Sequence, residues 1–72
     1  MIKVYSKPNC RACLMTKKLL KDKGVQFQEF DVTADIRYMN EAKATGFTTM
    51  PITVTENEVI AGFIPHKLRE LA

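Results

Sequence analysis

The sequence is poor in several residue types, and each shortage excludes a kind of protein. Two cysteines allow at most one disulfide within the chain. Three glycines and three prolines are too few for a fibrous or disordered chain. No apolar run approaches the roughly 20 residues of a membrane-spanning helix, so we expect no membrane segment. A chain of 72 residues has room for one domain, which we predict to span residues 1–72.

The N-terminus is typical of a strand rather than of a targeting segment. Ile2–Tyr5 follows Met1 directly, and no charged and then apolar leader precedes it. We therefore expect a cytoplasmic protein, in a compartment where thiols are kept reduced. A close cysteine pair in that setting is more often catalytic or metal-binding than structural.

The net charge of +3 is unevenly distributed along the chain. Residues 1–23 hold seven basic residues and one acidic residue, whereas the remainder holds four basic and seven acidic residues. A basic segment can attract nucleic acid or an acidic protein. No aromatic platform or binding motif accompanies these lysines, so we favour a solvated helix face and expect no nucleic-acid partner.

The hydrophobic pattern predicts the element order β-α-β-α-β-β-α. Strands are predicted at 2–5, 25–32, 52–55 and 59–61, and helices at 11–23, at 34–45 with Thr33 as its cap, and from Pro65. In the first helix the inward face should be formed by Ala12, Cys13, Thr16, Leu19 and Leu20, and the lysines at 17, 18 and 21 should lie largely on the other side. In the second helix Ile36, Met39 and Ala42 should face inward. A helical crossover favours a parallel first pair of strands, and a short turn makes the last two an antiparallel hairpin.

The most informative motif is Cys10-Arg11-Ala12-Cys13, at the start of the first helix. The three-residue spacing places both sulfurs near one face of the first turn. Free backbone N–H groups and the positive end of the helix dipole should lower the pKa of the outer thiol, and Lys7 and Arg11 add positive charge. We predict that Cys10 attacks and that Cys13 resolves the mixed disulfide.

Other uses of the cysteine pair receive less support. A structural zinc site usually needs four ligands, but His66 is the only histidine and no second cysteine pair exists. A metal-binding or iron–sulfur module remains an alternative from another functional class. Attachment of c-type haem would need histidine at position 14, where the chain has Leu14.

Two further segments are candidates for substrate contacts. In Thr49-Met50-Pro51, the proline either simply starts a strand or is a cis residue that turns the Met50 backbone toward the cysteines. Gly62 either permits close approach of a partner backbone or only forms the turn into the last helix. Phe63 is either a core residue or an exposed docking ring. The residues alone leave these alternatives open.

Together these features resemble the glutaredoxin branch of the thioredoxin-fold family over nearly the whole chain. The stretch from Val4 to Cys10 is similar to the family's residues before its active cysteine. Thr49-Met50-Pro51 is similar to the T-x-P motif, whose proline is cis. The resemblance implies an α/β, thioredoxin-like fold with a four-stranded mixed sheet in the order 2-1-3-4. It also implies a dithiol-disulfide oxidoreductase.

Two subfamilies differ in their electron donor. Glutathione-dependent members carry C-P-Y-C and a late G-G-x-D-like motif, whereas this chain has Ala61-Gly62-Phe63-Ile64 in the late position. The run from Gly62 to Pro65 is more similar to the S-G-F-x-P ending of the NrdH-redoxins, although Ala61 replaces the usual serine and His66 the usual acid.

The NrdH-redoxin resemblance implies a set of partners. It implies reducing equivalents from NADPH through thioredoxin reductase, no bound cofactor, and class Ib ribonucleotide reductase as the protein that receives the electrons. Glutathione is the alternative donor. We expect a monomer, with Lys7, Arg11, Thr49, Met50, Pro51, Gly62 and Phe63 as substrate contacts.

Overall fold

The structure, a computed structural model, describes residues 1–72. The elements in chain order are β1 (Lys3–Ser6), α1 (Arg11–Asp22), β2 (Gln28–Asp31), α2 (Ile36–Ala44), β3 (Ile52–Val54), β4 (Val59–Ala61) and α3 (Pro65–Arg69). The strands form one mixed sheet in the order β2-β1-β3-β4. β1 is parallel to β2 and antiparallel to β3, and β3 is antiparallel to β4. The predicted thioredoxin-like topology is therefore confirmed.

The alternation of side chains along β1 creates two hydrophobic cores, one on each face of the sheet. Val4 is fully buried on one face with Leu20, Ile60 and Leu68, which places α1 and α3 on that side. Tyr5 is buried on the other face, in the cluster completed by Val32, Ala42 and Ile52, which places α2 there. The sheet is thus the shared wall between two small cores.

The second strand, Gln28–Asp31, is shorter than the predicted 25–32. Val25 and Phe27 lie before β2 and pack against the α1 side, whereas Phe30 and Val32 pack against the α2 side. Odd and even positions therefore face opposite sides throughout, as in any extended chain. Along this segment the apolar residues change from odd to even positions, because α2 covers only the end of the segment.

The start of α2 differs from the prediction in two respects. Asp35, not Thr33, is the cap, because its carboxylate accepts the Arg37 backbone N–H at 2.8 Å. Thr33 instead donates both its backbone N–H and its hydroxyl to Asp31, in a turn before the helix. Ile36 is 70% exposed rather than inward, because it is the first helical residue and lies before the buried face begins.

One lysine of α1 also departs from the prediction. Lys18 is exposed as expected, but the Lys17 side chain is only 19% exposed and its Nζ donates to Glu29 Oε2 at 2.6 Å. This ion pair ties α1 to β2. The Ser6 hydroxyl also reaches Glu29 Oε2, at 3.4 Å. None of the helices is of a length and hydrophobicity that would allow it to cross a bilayer.

A hydrogen bond fastens β1 to α2 on the other face of the sheet. The Tyr5 hydroxyl donates to Glu41 Oε1 at 2.7 Å, and the residue is only 4% exposed. Burial, together with the hydrogen bond to Glu41 and its negative charge, raises the pKa of Tyr5 from 10.0 to about 12. Folding therefore favours the neutral phenol.

The raised pKa of Tyr5 predicts a loss of stability at alkaline pH. The contribution is complete below pH 10, where both states are protonated, and it is lost as pH rises toward 12, because the unfolded chain releases this proton first. The Tyr38→Phe variant leaves Tyr5 as the one remaining tyrosine. Its phenolate absorbance should titrate well above pH 10 in the folded protein and near 10 in urea. Coincident titrations would contradict the prediction.

Candidate active site

Cys10 and Cys13 form a disulfide at the N-terminus of α1. Cys10 is the N-cap residue, in an extended conformation, and its Sγ accepts the backbone N–H of Cys13 at 3.2 Å. Cys10 is 9% exposed and Cys13 is 1% exposed. The order of exposure agrees with the sequence prediction, although the outer sulfur is less accessible than a surface residue would be.

The turn before α1 explains why the helix begins at this position. Asn9 has a φ of +57°, in the left-handed region that asparagine tolerates better than most residues. This turn redirects the chain after β1, so that the first turn of α1 lies beyond the end of the central strand. The Leu14 backbone N–H then donates to the Cys10 carbonyl at 3.1 Å and starts the helical ladder.

The charges around the pair favour an anionic sulfur. The first turn of α1 has no acidic residue to neutralise the helix dipole. Arg11 and Lys7 are both exposed on the flanks of the cysteines. Backbone N–H groups, the dipole and nearby cations all stabilise a thiolate relative to a thiol. The site is therefore arranged for nucleophilic sulfur when the disulfide is reduced.

The second segment predicted from sequence lies against the outer sulfur. The Met50–Pro51 peptide bond is cis, as the family resemblance implied. The Met50 carbonyl oxygen lies 3.9 Å from Cys10 Sγ. In the disulfide this sulfur carries no proton, so the approach is a contact and not a hydrogen bond. Pro51 is buried, while Met50 remains half-buried at the surface beside the cysteines.

The third segment lies next to the second. The Gly62 backbone N–H donates to the Pro51 carbonyl at 2.8 Å, and a Cβ added at Gly62 would lie 3.9 Å from Thr49 Cγ2. Gly62 has a φ of +86°, so the backbone conformation itself favours glycine at this turn. Phe63 packs against the α1-side core but stays partly exposed. Both of its predicted roles are thus compatible with its position.

A pocket on the α2 side shares Met50 with the surroundings of Cys10, although neither cysteine lines it, and sequence reasoning did not find it. This α2 pocket has a volume of about 260 Å³ and is lined by Lys7, Met50, Val32, Met39, Lys43 and Phe47, among others. Phe47 is 45% exposed in the loop that follows the helix-ending Gly46. In the sequence, the one indication of this pocket is an aromatic residue, Phe47, within a polar loop.

One other cavity is separate from the cysteines, and no cluster of metal-binding side chains is present. A larger cavity of about 930 Å³ lies at the opposite end of β1, among residues such as Ile2, Val25 and Thr55, and includes neither cysteine. No three side chains of the metal-binding types come together anywhere in the structure. His66 is exposed on α3.

The chain resembles known proteins over its full length. Residues 2–60 match the family model for glutaredoxins. A glutaredoxin-like protein NrdH of Lactococcus lactis is 32% identical over 72 residues, and the alignment covers 100% of both chains. The chain belongs to the glutaredoxin family. It is accordingly a thiol-disulfide oxidoreductase, and the Cys10–Cys13 pair supports this activity.

Two further glutaredoxin relatives extend the comparison. Glutaredoxin 3 of Escherichia coli is 34% identical over 62 residues, which cover 85% of this chain and 75% of the relative. The solved NrdH-redoxin of Escherichia coli superposes with a TM-score of 0.92 at 24% identity, covering 99% of this chain and 93% of the other. The fold is thus shared with both subfamilies of interest.

Because the Cys10 side chain caps the N-terminus of α1, we can predict which of two Cys10 variants is more stable. Serine is a strong N-cap and alanine a weak one, so Cys10→Ser should keep the start of α1 while Cys10→Ala loses its only side-chain acceptor. With Cys13 reduced, we expect Cys10→Ala to be less stable than Cys10→Ser by about 1 kcal/mol. Urea unfolding followed by circular dichroism measures the difference. Equal stabilities would show that the Cys10 side chain does not cap the helix.

Proposed function

We propose that the protein is an NrdH-type electron carrier of one domain, residues 1–72, which acts as a monomer in the cytoplasm. In this proposal Cys10 is the nucleophile and Cys13 the resolving residue. The observation that carries the assignment is the position of the pair: the outer sulfur caps α1 and accepts a backbone N–H, whereas the inner sulfur is buried one turn further on.

The chemistry consists of two exchanges. The Cys10 thiolate attacks one sulfur of a substrate disulfide, so that a mixed disulfide forms and the other substrate sulfur leaves as a thiolate. The Cys13 thiolate then attacks Cys10 Sγ, forms the internal disulfide and releases the second substrate sulfur. Two electrons pass from the protein to the substrate, whose sulfurs take up two protons.

The substrate is proposed to bind as an extended segment along Met50. Met50 precedes β3 and is half-buried, and its carbonyl oxygen lies 3.9 Å from Cys10 Sγ, so we propose that its backbone pairs with a strand-like partner. Thr49 and Gly62 are neighbours next to Met50, and we propose that they and Phe63 border the bound segment. Lys7 and Arg11 would favour an acidic partner at its entrance.

Two observations support the NrdH subfamily. The NrdH relative from Lactococcus lactis aligns over the whole of both chains, whereas glutaredoxin 3 aligns over 75% of its own length. In addition, Phe63 follows Gly62 where a glutathione-dependent protein would be expected to carry the residues that hold glutathione. We therefore propose thioredoxin reductase, supplied by NADPH, as the electron donor and class Ib ribonucleotide reductase as the acceptor.

A glutathione-dependent glutaredoxin is the second candidate. The 34% identity to glutaredoxin 3 and the Thr49-Met50-Pro51 segment favour it. Lys7 and the Met50 backbone are available to a small thiol peptide as well as to a protein. The two candidates share the cysteine chemistry and differ only in the donor.

The roles of the two cysteines predict different failures in two matched variants. Cys10→Ser should reduce disulfide-reducing activity to background, because the one remaining thiol, that of Cys13, is buried, while circular dichroism shows an intact fold. Cys13→Ser should stop after the first exchange and accumulate a mixed disulfide with the substrate when no other thiol is present. Reduction of insulin with dithiothreitol measures the activity of Cys10→Ser, and mass spectrometry of reduced Cys13→Ser mixed with insulin after removal of dithiothreitol measures the mixed disulfide. Turnover by Cys10→Ser would reject the assignment.

The choice of donor predicts the result of a paired reduction assay. The oxidised protein should be reduced rapidly by NADPH with a bacterial thioredoxin reductase and slowly by glutathione with glutathione reductase. Consumption of NADPH reports both reactions, and the Cys10→Ser variant gives the background. Rapid reduction in the glutathione arm alone would favour the second candidate.

A further inference from the structure

Two buried hydroxyl groups, those of Thr16 and Thr53, have no hydrogen-bond partner within the chain. Buried polar atoms are almost always paired, so each unpaired one needs an explanation. We propose that the Thr16 hydroxyl donates a hydrogen bond to the Cys13 sulfur in the reduced protein and loses this partner when the disulfide forms. Thr16 then sets how easily the cysteine pair is oxidised. The inference rests on one part of the proposed function, the cycling of the pair between dithiol and disulfide.

Thr16 lies on the same face of α1 as the inner cysteine. It follows Cys13 by three residues, a spacing that places Cβ atoms about 5–6 Å apart, and the two residues are 0% and 1% exposed. Helical side chains tilt toward the N-terminus, so the Thr16 side chain leans over the turn that carries Cys13. Threonine in a helix often donates to the carbonyl oxygen four residues earlier, but this hydroxyl makes no such bond. It is therefore free to donate to a side chain on the preceding turn.

Reduction brings the Cys13 sulfur toward this hydroxyl. In the disulfide Cys13 Sγ is bonded to Cys10 Sγ, which lies toward the N-terminus of α1. When that bond breaks, the two sulfurs move apart to a non-bonded distance. Movement of Cys13 Sγ away from Cys10 is movement toward the next helical turn, where Thr16 lies. A hydrogen bond to the sulfur is also stronger once the sulfur carries negative charge, which only the reduced form allows.

Other polar side chains between α1 and the sheet already have partners. Lys17 also lies one turn after Cys13, but its Nζ donates to Glu29 Oε2 at 2.6 Å, which directs it to β2. The hydroxyl of the buried Ser6 reaches the same carboxylate oxygen at 3.4 Å. Of the two buried hydroxyls without a partner, that of Thr16 is the one on the helix of the cysteines. The buried sulfur of reduced Cys13 and this hydroxyl therefore complement each other.

The hydrogen bond is linked to the electron transfer without taking part in it. The reduced pair, Cys10 and Cys13, gives two electrons and two protons to a substrate disulfide; the internal S–S bond forms, and the substrate S–S bond becomes two thiols. The Thr16 hydroxyl keeps its own proton throughout. On oxidation it loses its acceptor, and a buried donor is left unpaired in the disulfide form. The hydroxyl thus favours the dithiol, so that the protein accepts electrons more easily from its donor.

A disulfide exchange equilibrium between two forms of the protein tests the proposal. Reduced Thr16→Val and the oxidised unaltered protein are mixed in equal amounts with a trace of dithiothreitol, and the opposite mixture is started in parallel. Thiols are trapped with N-ethylmaleimide, and high-resolution mass spectrometry counts the four species. Valine has the shape of threonine without the hydroxyl. The oxidation equilibrium constant of the variant should therefore be about tenfold larger than that of the unaltered protein, which corresponds to a reduction potential lower by about 30 mV.

Two matched variants separate the hydroxyl from its packing. Thr16→Ser keeps the hydroxyl and should return the ratio of the two equilibrium constants to near one. Thr53→Val makes the same change at the other buried hydroxyl without a partner, on β3, and should also give a ratio near one. Urea unfolding is a second measurement. Thr16→Val should be less stable than the unaltered protein when reduced but not when oxidised, because only the reduced form loses a hydrogen bond.

The outcomes distinguish this inference from the function on which it rests. A ratio near one for Thr16→Val, an equal shift in Thr53→Val, or no recovery in Thr16→Ser would overturn the role of Thr16 and leave the oxidoreductase function standing. If the unaltered protein exchanges no disulfide in mixtures started from either direction, the proposed function fails together with the inference.

Discussion

The hydrogen bond from the Cys13 backbone N–H to Cys10 Sγ joins the start of α1 to the cysteine pair. The same sulfur satisfies a free donor of the helix and is the nucleophile in the proposed function. From this start, Cys13, Thr16 and Leu20 lie on the buried face of α1. The turn at Asn9 that precedes the helix thus places the cysteine pair at the end of a helix whose other face packs into the core.

The protein is stabilised by a small hydrophobic core. Only 14 of the 72 residues are buried, and eight of them form two clusters of four on opposite faces of the sheet, so stability depends on the packing of both. The disulfide closes a loop of three residues and contributes little by restricting the unfolded chain. Because the bridge lies within one helical turn, the protein can be oxidised or reduced while the same helices and strands hold the sheet.

Much of this organisation could be predicted from local signals, and the rest depends on tertiary contacts. The element order, the sheet order and the pair Cys10–Cys13 follow from periodicity, spacing and resemblance. The cap of α2 could not be predicted with certainty, since Thr33 and Asp35 both suit that role and only the fold selects one. Lys17 is predicted outward by helical periodicity, but a carboxylate on β2 draws it in. Phe47 lines the α2 pocket because of the tertiary fold, and no local pattern in the sequence predicts this position.

The ion pair between Lys17 and Glu29 has a consequence at the rim of the sheet. β2 is an edge strand, and one of its sides carries backbone groups that no other strand of the chain pairs with. Glu29 contributes its carboxylate to the contact with α1 but its side chain is 43% exposed, so a strand from a second molecule that extended the sheet would run beside a charged side chain. Charged side chains on edge strands are a natural defence against aggregation. The contact that fastens β2 to α1 thereby also discourages the sheet from growing beyond one molecule.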